Sequence, residues 1–218
     1  TVKKWVGTLR GHSITGRQLP RYGTAALVSA TAATNTLPTR NFRFGTWDKA
    51  EEVSGLTMAE KHLARNDGCL SCPIRCGRVV RWQGKERKGP EFETIGMLGP
   101  NIVNPDLPKI IEWNLLADAL GMDTITLGST LATAMELKER GLLPELPVSF
   151  EDQAAMTQLI EDIAYRRGIG DELAEGSMRL ARRRGAPELS MHSKGMEFAA
   201  YEPRGAVAEA FDLRRAAP

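Results

Sequence analysis

The sequence has no apolar stretch approaching the roughly 20 residues that a membrane-spanning helix requires. It has no large excess of one charge, because its 29 Lys and Arg residues are nearly balanced by 27 Asp and Glu residues. No basic block with interleaved aromatic residues is present, so we expect no nucleic-acid partner. The first residues lack both the apolar core of a signal peptide and an initiator methionine, so we expect a start within a longer product. What remains is a chain of 218 residues that suits one globular domain or two small ones.

Cysteine is scarce as well, since the chain contains three cysteines and all of them lie between residues 69 and 76. A secreted disulfide framework has an even number of cysteines spread along the chain, so this pattern argues against one. Reduced thiols that bind a metal fit the pattern better. We therefore expect a cytoplasmic protein.

The three cysteines, Cys69, Cys72 and Cys76, have the spacing C-x2-C-x3-C, which is typical of a metal site. Thiolates suit zinc or iron–sulfur clusters. Zinc sites usually combine two separated ligand pairs, and the three scattered histidines supply no second pair. Three thiolates in one loop with a distant fourth is typical of a [4Fe–4S] cluster. The spacing favours a cluster over zinc, and both over unmetallated cysteines; the fourth ligand is then either not a cysteine or outside this chain.

Hydrophobic periodicity predicts a mainly α fold, a multi-helix domain with a small β-hairpin after the cysteine loop. The clearest helix begins after the N-cap Asp106 and ends at Gly121. The hairpin is predicted around Gly84. A short helix is predicted with Thr57 as its N-cap. Further helices are predicted within residues 22–35, 123–141, 150–168 and 170–185, and the tail from residue 191 is expected to be irregular and then helical.

Several segments taken together resemble the tungsten-containing aldehyde:ferredoxin oxidoreductase family. The resemblance is carried by CLSCPIRCGRVV, by the following GPEFETIGMLGPNIVNPDLPKIIEWNLLADALGMD, and by YGT, LPTRNF and KGMEFAAYEPRG in the order that the family has them. It covers residues from about 20 to 205. The resemblance implies a division into an unassigned N-terminal segment at 1–20, a helical domain that contacts the cluster and pterin at 21–195, and the start of a further helical domain at 196–218.

The resemblance also assigns roles to individual residues. It implies that Cys69, Cys72 and Cys76 are ligands of a [4Fe–4S] cluster whose fourth cysteine lies downstream. It implies that Glu93 is a general acid or base near the substrate. From the residues alone, Glu93 could equally belong to a pair of solvated charges with Glu91 at the start of a helix.

The segment DALGMD, residues 118–123, resembles the family's D-x-x-G-L-D motif with Met122 in place of leucine. The resemblance implies that Asp118, Gly121, Met122 and Asp123 contact a pterin, since carboxylates accept hydrogen bonds from pterin N–H groups. The alternative is an ordinary helix end at Gly121 followed by an N-cap at Asp123. Both can hold at once.

The activity implied by the resemblance is oxidation of a small aldehyde to a carboxylic acid at a tungsten or molybdenum bis-pterin. Electrons would then pass through the cluster to ferredoxin or another low-potential carrier. The resemblance implies a homo-oligomer or a multi-subunit complex, and this chain alone is expected to be inactive. Two alternatives stay open: the tungsten subunit of an enzyme like benzoyl-CoA reductase, and a non-enzymatic helical module that binds a metal.

Overall fold

Two long helices joined by a short turn organise the fold, which the computed structural model describes over residues 2–206. The first begins after Asp106, whose carboxylate accepts a hydrogen bond from the backbone N–H of Lys109 at 3.0 Å, and ends at Gly121 with φ of 69°. The second begins after Asp123 and ends at Glu139. The sequence prediction placed these boundaries correctly because the capping residues carry the signal locally.

Ten α-helices and five short strands make up the main regular structure of the described residues, so the predicted mainly α fold is confirmed. The helices are α1 (Val2–Gly11), α2 (Leu19–Tyr22), α3 (Leu27–Ala33), α4 (Gly55–Lys61), α5 (Phe92–Leu98), α6 (Leu107–Leu120), α7 (Thr124–Glu139), α8 (Met156–Ala164), α9 (Ile169–Leu173) and α10 (Ser177–Arg183). The strands are β1 (Leu63–Asp67), β2 (Gly77–Trp82), β3 (Lys85–Lys88), β4 (His192–Ser193) and β5 (Met196–Glu197). None of these helices is both long enough and apolar enough to cross a membrane.

Helix α7 lies at the centre of the core and packs against α5 and α10. Its residues from Leu127 to Leu137 are all buried. Gly128 permits the close approach of α5, because a Cβ atom at this position would lie 2.6 Å from the Cβ of Met97. Gly128 thus lets the C-terminal end of α5 pack closely against α7. Near the N-terminus of α5, the hydroxyls of Thr94 and Thr124 lie within hydrogen-bonding distance at 2.8 Å.

The predicted hairpin is present as β2 and β3, with Trp82 paired to Lys85 across a turn at Gln83 and Gly84. Both turn residues have positive φ, 47° and 73°, as two-residue hairpin turns require. The sheet has a third strand, β1, which pairs antiparallel with β2 and gives the order β1-β2-β3.

The helix predicted after Thr57 is wrong in its start and in its length. The N-cap of α4 is Ser54, whose hydroxyl accepts a hydrogen bond from the N–H of Thr57 at 3.2 Å. The helix ends at Lys61, and the residues that were predicted to continue it form β1 instead. Pairing with β2, whose residues lie 10 to 17 positions from their partners in β1, overrides the local helical preference of this segment.

Two other predicted helices are interrupted at glycines. Gly23 has φ of 68°, so the helix predicted from Tyr22 divides there and α3 begins only at Leu27. Gly176 has φ of 85° and separates α9 from α10. The helix predicted within residues 150–168 is reduced to α8. The predicted helical end of the tail lies outside the described residues, and the domain division at residue 195 stays a prediction.

Candidate functional site

The three cysteines lie on the loop that joins β1 to β2. The pairing of Asp67 with Gly77 closes the base of this loop. Inside it, the N–H of Cys72 donates a hydrogen bond to the carbonyl oxygen of Cys69 at 3.0 Å. Cys69 is exposed, whereas Cys72 and Cys76 are partly buried. The cysteine loop thus lies at one end of strands β1 and β2 of the small sheet.

The thiols are close enough to affect one another electrostatically. Burial raises the pKa of the Cys76 thiol, and the charges of Glu91, Cys72 and Cys69 raise it further against an opposing backbone hydrogen bond. Within residues 2–206, no three side chains of His, Cys, Asp or Glu converge closely enough to hold a single metal ion. A cluster does not require such convergence, because each cysteine binds a different iron.

Arg78 lies directly behind the loop and is only 4% exposed. Its guanidinium donates to the carbonyl oxygen of Leu19 at 2.5 Å, to that of Arg75 at 2.9 Å, and to the side-chain oxygen of Asn66. Its Nε is buried and has no hydrogen-bond partner among the residues that the structure describes. Gly23 makes room for this arrangement, because a Cβ there would lie 2.6 Å from that Nε. Sequence reasoning did not identify Arg78 or Gly23 as part of the site.

The residues of the DALGMD segment form the junction between α6 and α7. The N–H of Met122 donates to the carbonyl oxygen of Ala117 at 2.8 Å, which closes the end of α6. The carboxylate of Asp123 accepts from the N–H of Thr126 at 2.7 Å, which caps α7. The capping interpretation of this segment is therefore confirmed. The pterin contacts of Asp118, Gly121, Met122 and Asp123 stay a prediction.

A cavity of about 200 Å³ adjoins this junction. Asp118 lines it and is exposed, and its carboxylate has no hydrogen-bond or ion-pair partner among residues 2–206. Gly121 has no atom within 4 Å of the place where a Cβ would lie, so its backbone is open to a ligand. The cavity is lined by Lys88, Gly89, Glu91, Thr94, Asn114, Asp118, Met122, Asp123 and Thr124.

Glu93 lies in the first turn of α5 and is partly buried. Its carboxylate accepts a hydrogen bond from the backbone N–H of Ala200 at 2.6 Å. Burial raises the pKa of Glu93; the Ala200 N–H opposes this effect and the charge of Asp123 adds to it. The interpretation of Glu93 as a solvated surface charge is therefore wrong. A carboxyl group with a raised pKa is suited to proton transfer, and the interaction with Asp123 places it near the α6–α7 junction.

Glu91 connects the cysteine loop with the cavity, and sequence reasoning had regarded it only as a surface charge. Its carboxylate accepts from the hydroxyl of Thr24 at 2.6 Å. The same hydroxyl oxygen accepts from the N–H of Phe92 at 2.9 Å, at the start of α5. Glu91 lines the cavity and also affects the pKa of Cys76. The N-terminus of α5 therefore lies between the cysteine loop and the α6–α7 junction.

Comparison with known proteins identifies the class to which this fold belongs. The family described as aldehyde ferredoxin oxidoreductase, domains 2 and 3, matches residues 1–214. The tungsten-containing aldehyde ferredoxin oxidoreductase of Pyrococcus furiosus is 46% identical over 212 residues, which are 94% of this chain and 35% of that protein. The enzyme of the same name from Thermococcus kodakarensis is 44% identical with the same coverage.

A solved structure shares the fold at lower identity. It is the active site complex BamBC of benzoyl coenzyme A reductase in complex with 1,5-dienoyl-CoA, with a TM-score of 0.65 and 22% identity over 84% of this chain and 29% of that chain. The class is thus a helical region found in oxidoreductases, and the two relatives from Pyrococcus furiosus and Thermococcus kodakarensis are named as tungsten-containing enzymes. Within it, the chain belongs to the aldehyde ferredoxin oxidoreductase family, as the sequence resemblance predicted. The chain spans about a third, 35%, of the length of these curated relatives.

Proposed function

We propose that the chain is the helical part of a tungstopterin oxidoreductase that oxidises aldehydes to carboxylic acids and passes electrons to ferredoxin. The observation that carries the proposal is the placement of the N-terminus of α5, with Glu91 and Glu93, between the cysteine loop and the α6–α7 junction. Relatives named for this activity are up to 46% identical to the chain.

Cys69, Cys72 and Cys76 would hold three corners of a [4Fe–4S] cluster, which supplies a one-electron relay when it is bound. Three observations support the fit. The thiols share one loop, the charges of Cys69 and Cys72 act on Cys76, and the buried Arg78 Nε, which has no hydrogen-bond partner among residues 2–206, lies near the carbonyl oxygen of Cys76.

Asp118, Gly121, Met122 and Asp123 would hold the pterin of a tungsten or molybdenum centre, which supplies the two-electron redox couple when it is bound. The unpartnered carboxylate of Asp118 is available to accept hydrogen bonds from pterin N–H groups. Asp123 uses one oxygen to cap α7 and retains the other for a ligand. The metal itself would be held by the pterin, so no side chain of this chain is assigned to it.

Glu93 is assigned to proton transfer. Oxidation of an aldehyde consumes one water and releases two protons and two electrons, R–CHO + H₂O → R–COOH + 2 H⁺ + 2 e⁻. The Glu93 carboxylate would accept one of these protons as a general base. Its pKa is raised, mainly by burial, and efficient general acid–base catalysis favours a pKa closer to the working pH than that of an ordinary carboxyl group.

The proposal is tested on the full-length enzyme, meaning the longer protein in which we infer that this chain lies, within a cytoplasmic homo-oligomer or multi-subunit complex. Anaerobic purification from a tungstate-supplied host should give a protein with iron, sulfide and tungsten that reduces ferredoxin when an aldehyde is added. This chain expressed alone should bind no tungsten and oxidise no aldehyde. One zinc per chain without iron would contradict the cluster.

The likeness in fold to the benzoyl-CoA reductase complex favours one second candidate, a low-potential reductase of a CoA thioester. The same preparation distinguishes the two. Oxidation of dienoyl-CoA without any reaction with small aldehydes would favour the reductase, whereas the converse favours the aldehyde oxidoreductase.

A further inference from the structure

Arg78 is a buried cation whose hydrogen-bond partners are all uncharged in the part of the chain that the structure describes. Two are backbone carbonyl oxygens, of Leu19 and Arg75, and the third is the amide oxygen of Asn66. Its Nε is buried and unpartnered. Removing an ion from water without a counter-charge is energetically unfavourable, so buried cations normally lie beside an anion.

The acidic groups whose charged forms act on Arg78 are Cys76 and Glu91. Glu91 forms no ion pair with it, because the Glu91 carboxylate is directed to the hydroxyl of Thr24. Cys76 belongs to the cysteine loop, and Arg78 donates a hydrogen bond to the carbonyl oxygen of the preceding residue, Arg75. The position where a Cβ of Gly23 would lie is 2.6 Å from the Arg78 Nε and 2.8 Å from the carbonyl oxygen of Cys76, so these groups are packed closely together. Arg78 therefore lacks an anionic partner next to the backbone of the cysteine loop.

We propose that Arg78 is a positioning residue for the cysteine loop, and that its charge raises the reduction potential of the cluster held there. This inference rests on the proposed [4Fe–4S] cluster. A cluster bound by thiolates is an anion, and it supplies the counter-charge that the protein around Arg78 lacks. The same arginine ties the loop to the segment that carries Leu19 and to β1 through Asn66, so it fixes the place of the loop.

The effect on the potential follows from charge alone. One-electron reduction of the cluster, by dithionite in a titration, adds one negative charge and breaks no bond. A fixed positive charge in a partly buried environment stabilises the reduced state more than the oxidised state. Removing or neutralising the charge therefore makes the cluster harder to reduce and shifts its midpoint potential to a more negative value.

The experiment measures the midpoint potential of the cluster in the full-length enzyme by dithionite titration followed by electron paramagnetic resonance. The deciding variant is Asn66→Asp, which is nearly isosteric and places a carboxylate next to the Arg78 guanidinium. It neutralises the charge of Arg78 and leaves the hydrogen bonds of Arg78 to Leu19 and Arg75 in place. Arg78→Gln removes the charge itself. The matched control is Arg81→Gln, because Arg81 is an exposed arginine on the same strand and the substitution changes the formal charge by the same amount.

We expect Asn66→Asp and Arg78→Gln to shift the potential to more negative values than Arg81→Gln does, at unchanged iron content in Asn66→Asp. If Asn66→Asp gives the same potential as Arg81→Gln, the inference is wrong, whatever happens to Arg78→Gln. If Arg78→Gln loses the cluster, Asn66→Asp still decides. A wild-type enzyme without iron would instead show that the proposed cluster is wrong, and this inference would fall with it.

Discussion

The cysteine loop and the α6–α7 junction differ in how far the protein itself satisfies their polar groups. At the junction, Gly121 and Asp123 complete two helix ends with hydrogen bonds of ordinary length. Behind the cysteine loop, Arg78 is buried without an ion-pair partner among residues 2–206, and its Nε has no hydrogen-bond partner there. The junction thus satisfies its own polar groups, whereas the role proposed for Arg78 implies that the loop depends on a bound anionic cluster. We expect the two regions to respond differently to mutation.

The largest effect is expected at the loop. Cys76→Ala in the full-length enzyme should lower the cluster iron below the wild-type content, because one iron then lacks its thiolate. Tungsten content should be retained, since the junction is intact. Iron, sulfide and tungsten analysis measures both, with Ser71→Ala, a substitution in the same loop, as the control. Full iron content in Cys76→Ala would contradict the expected difference between the cysteine loop and the α6–α7 junction, and it would show that Cys76 is not a cluster ligand.

The next largest effect is expected at Glu93. Glu93→Gln should lower turnover by roughly 10²–10⁴-fold, the usual contribution of a general acid or base, while iron and tungsten stay at the wild-type level. The amide oxygen of glutamine can still accept from the Ala200 N–H, so the fold should not suffer. Because the pKa of Glu93 is raised, the acidic limb of the kcat/KM profile should lie above the ordinary carboxyl range and be absent from the variant. Wild-type turnover in Glu93→Gln would exclude this role.

The raised pKa of Glu93 also has a consequence for stability. A group whose folded-state pKa is raised contributes stability below its unfolded pKa, and this contribution is lost as the pH rises through the folded-state pKa. The wild type should therefore lose stability relative to Glu93→Gln as the pH rises from the ordinary carboxyl value of 4.5 to the raised value. Thermal unfolding of both proteins across this window measures the difference, and parallel curves would contradict it.

A smaller effect is expected at Asp118. A hydrogen bond to a charged group contributes about 1.5–3 kcal/mol, so Asp118→Asn should weaken pterin retention roughly 10-fold to 100-fold. Tungsten and pterin content after extended dialysis measures the loss, and iron content serves as the internal control. The apoprotein should keep its thermal stability, because the Asp118 carboxylate has no partner in the described structure. Wild-type retention of pterin would remove Asp118 from the binding site.

The same comparison explains what sequence reasoning could reach. Caps such as Asp106 and Gly121 act on their immediate neighbours, so their effect is readable in the sequence. β1 was missed because its hydrogen bonds go to β2, beyond the cysteine loop, and local patterns do not report such pairing. Arg78 and Glu91 were missed for the same reason, since their partners Leu19 and Thr24 are about 60 or more residues away. The cysteines were found because their spacing is itself the signal.

The smallest effect is expected at Asp123, where the two roles of the junction can be separated. Asp123→Ala removes the carboxylate that accepts from the Thr126 N–H at 2.7 Å, so it should lower the free energy of unfolding by about 1 kcal/mol. Asp123→Asn keeps a side-chain oxygen for the cap and should leave stability nearly unchanged. Both substitutions remove the charge that a pterin N–H would meet. Chemical denaturation of the apoprotein thus reports the cap, and pterin content of the full-length enzyme reports the ligand contact. If both variants retain pterin fully while only Asp123→Ala is destabilised, Asp123 is a cap alone, and Asp118 stays the proposed pterin contact of the α6–α7 junction.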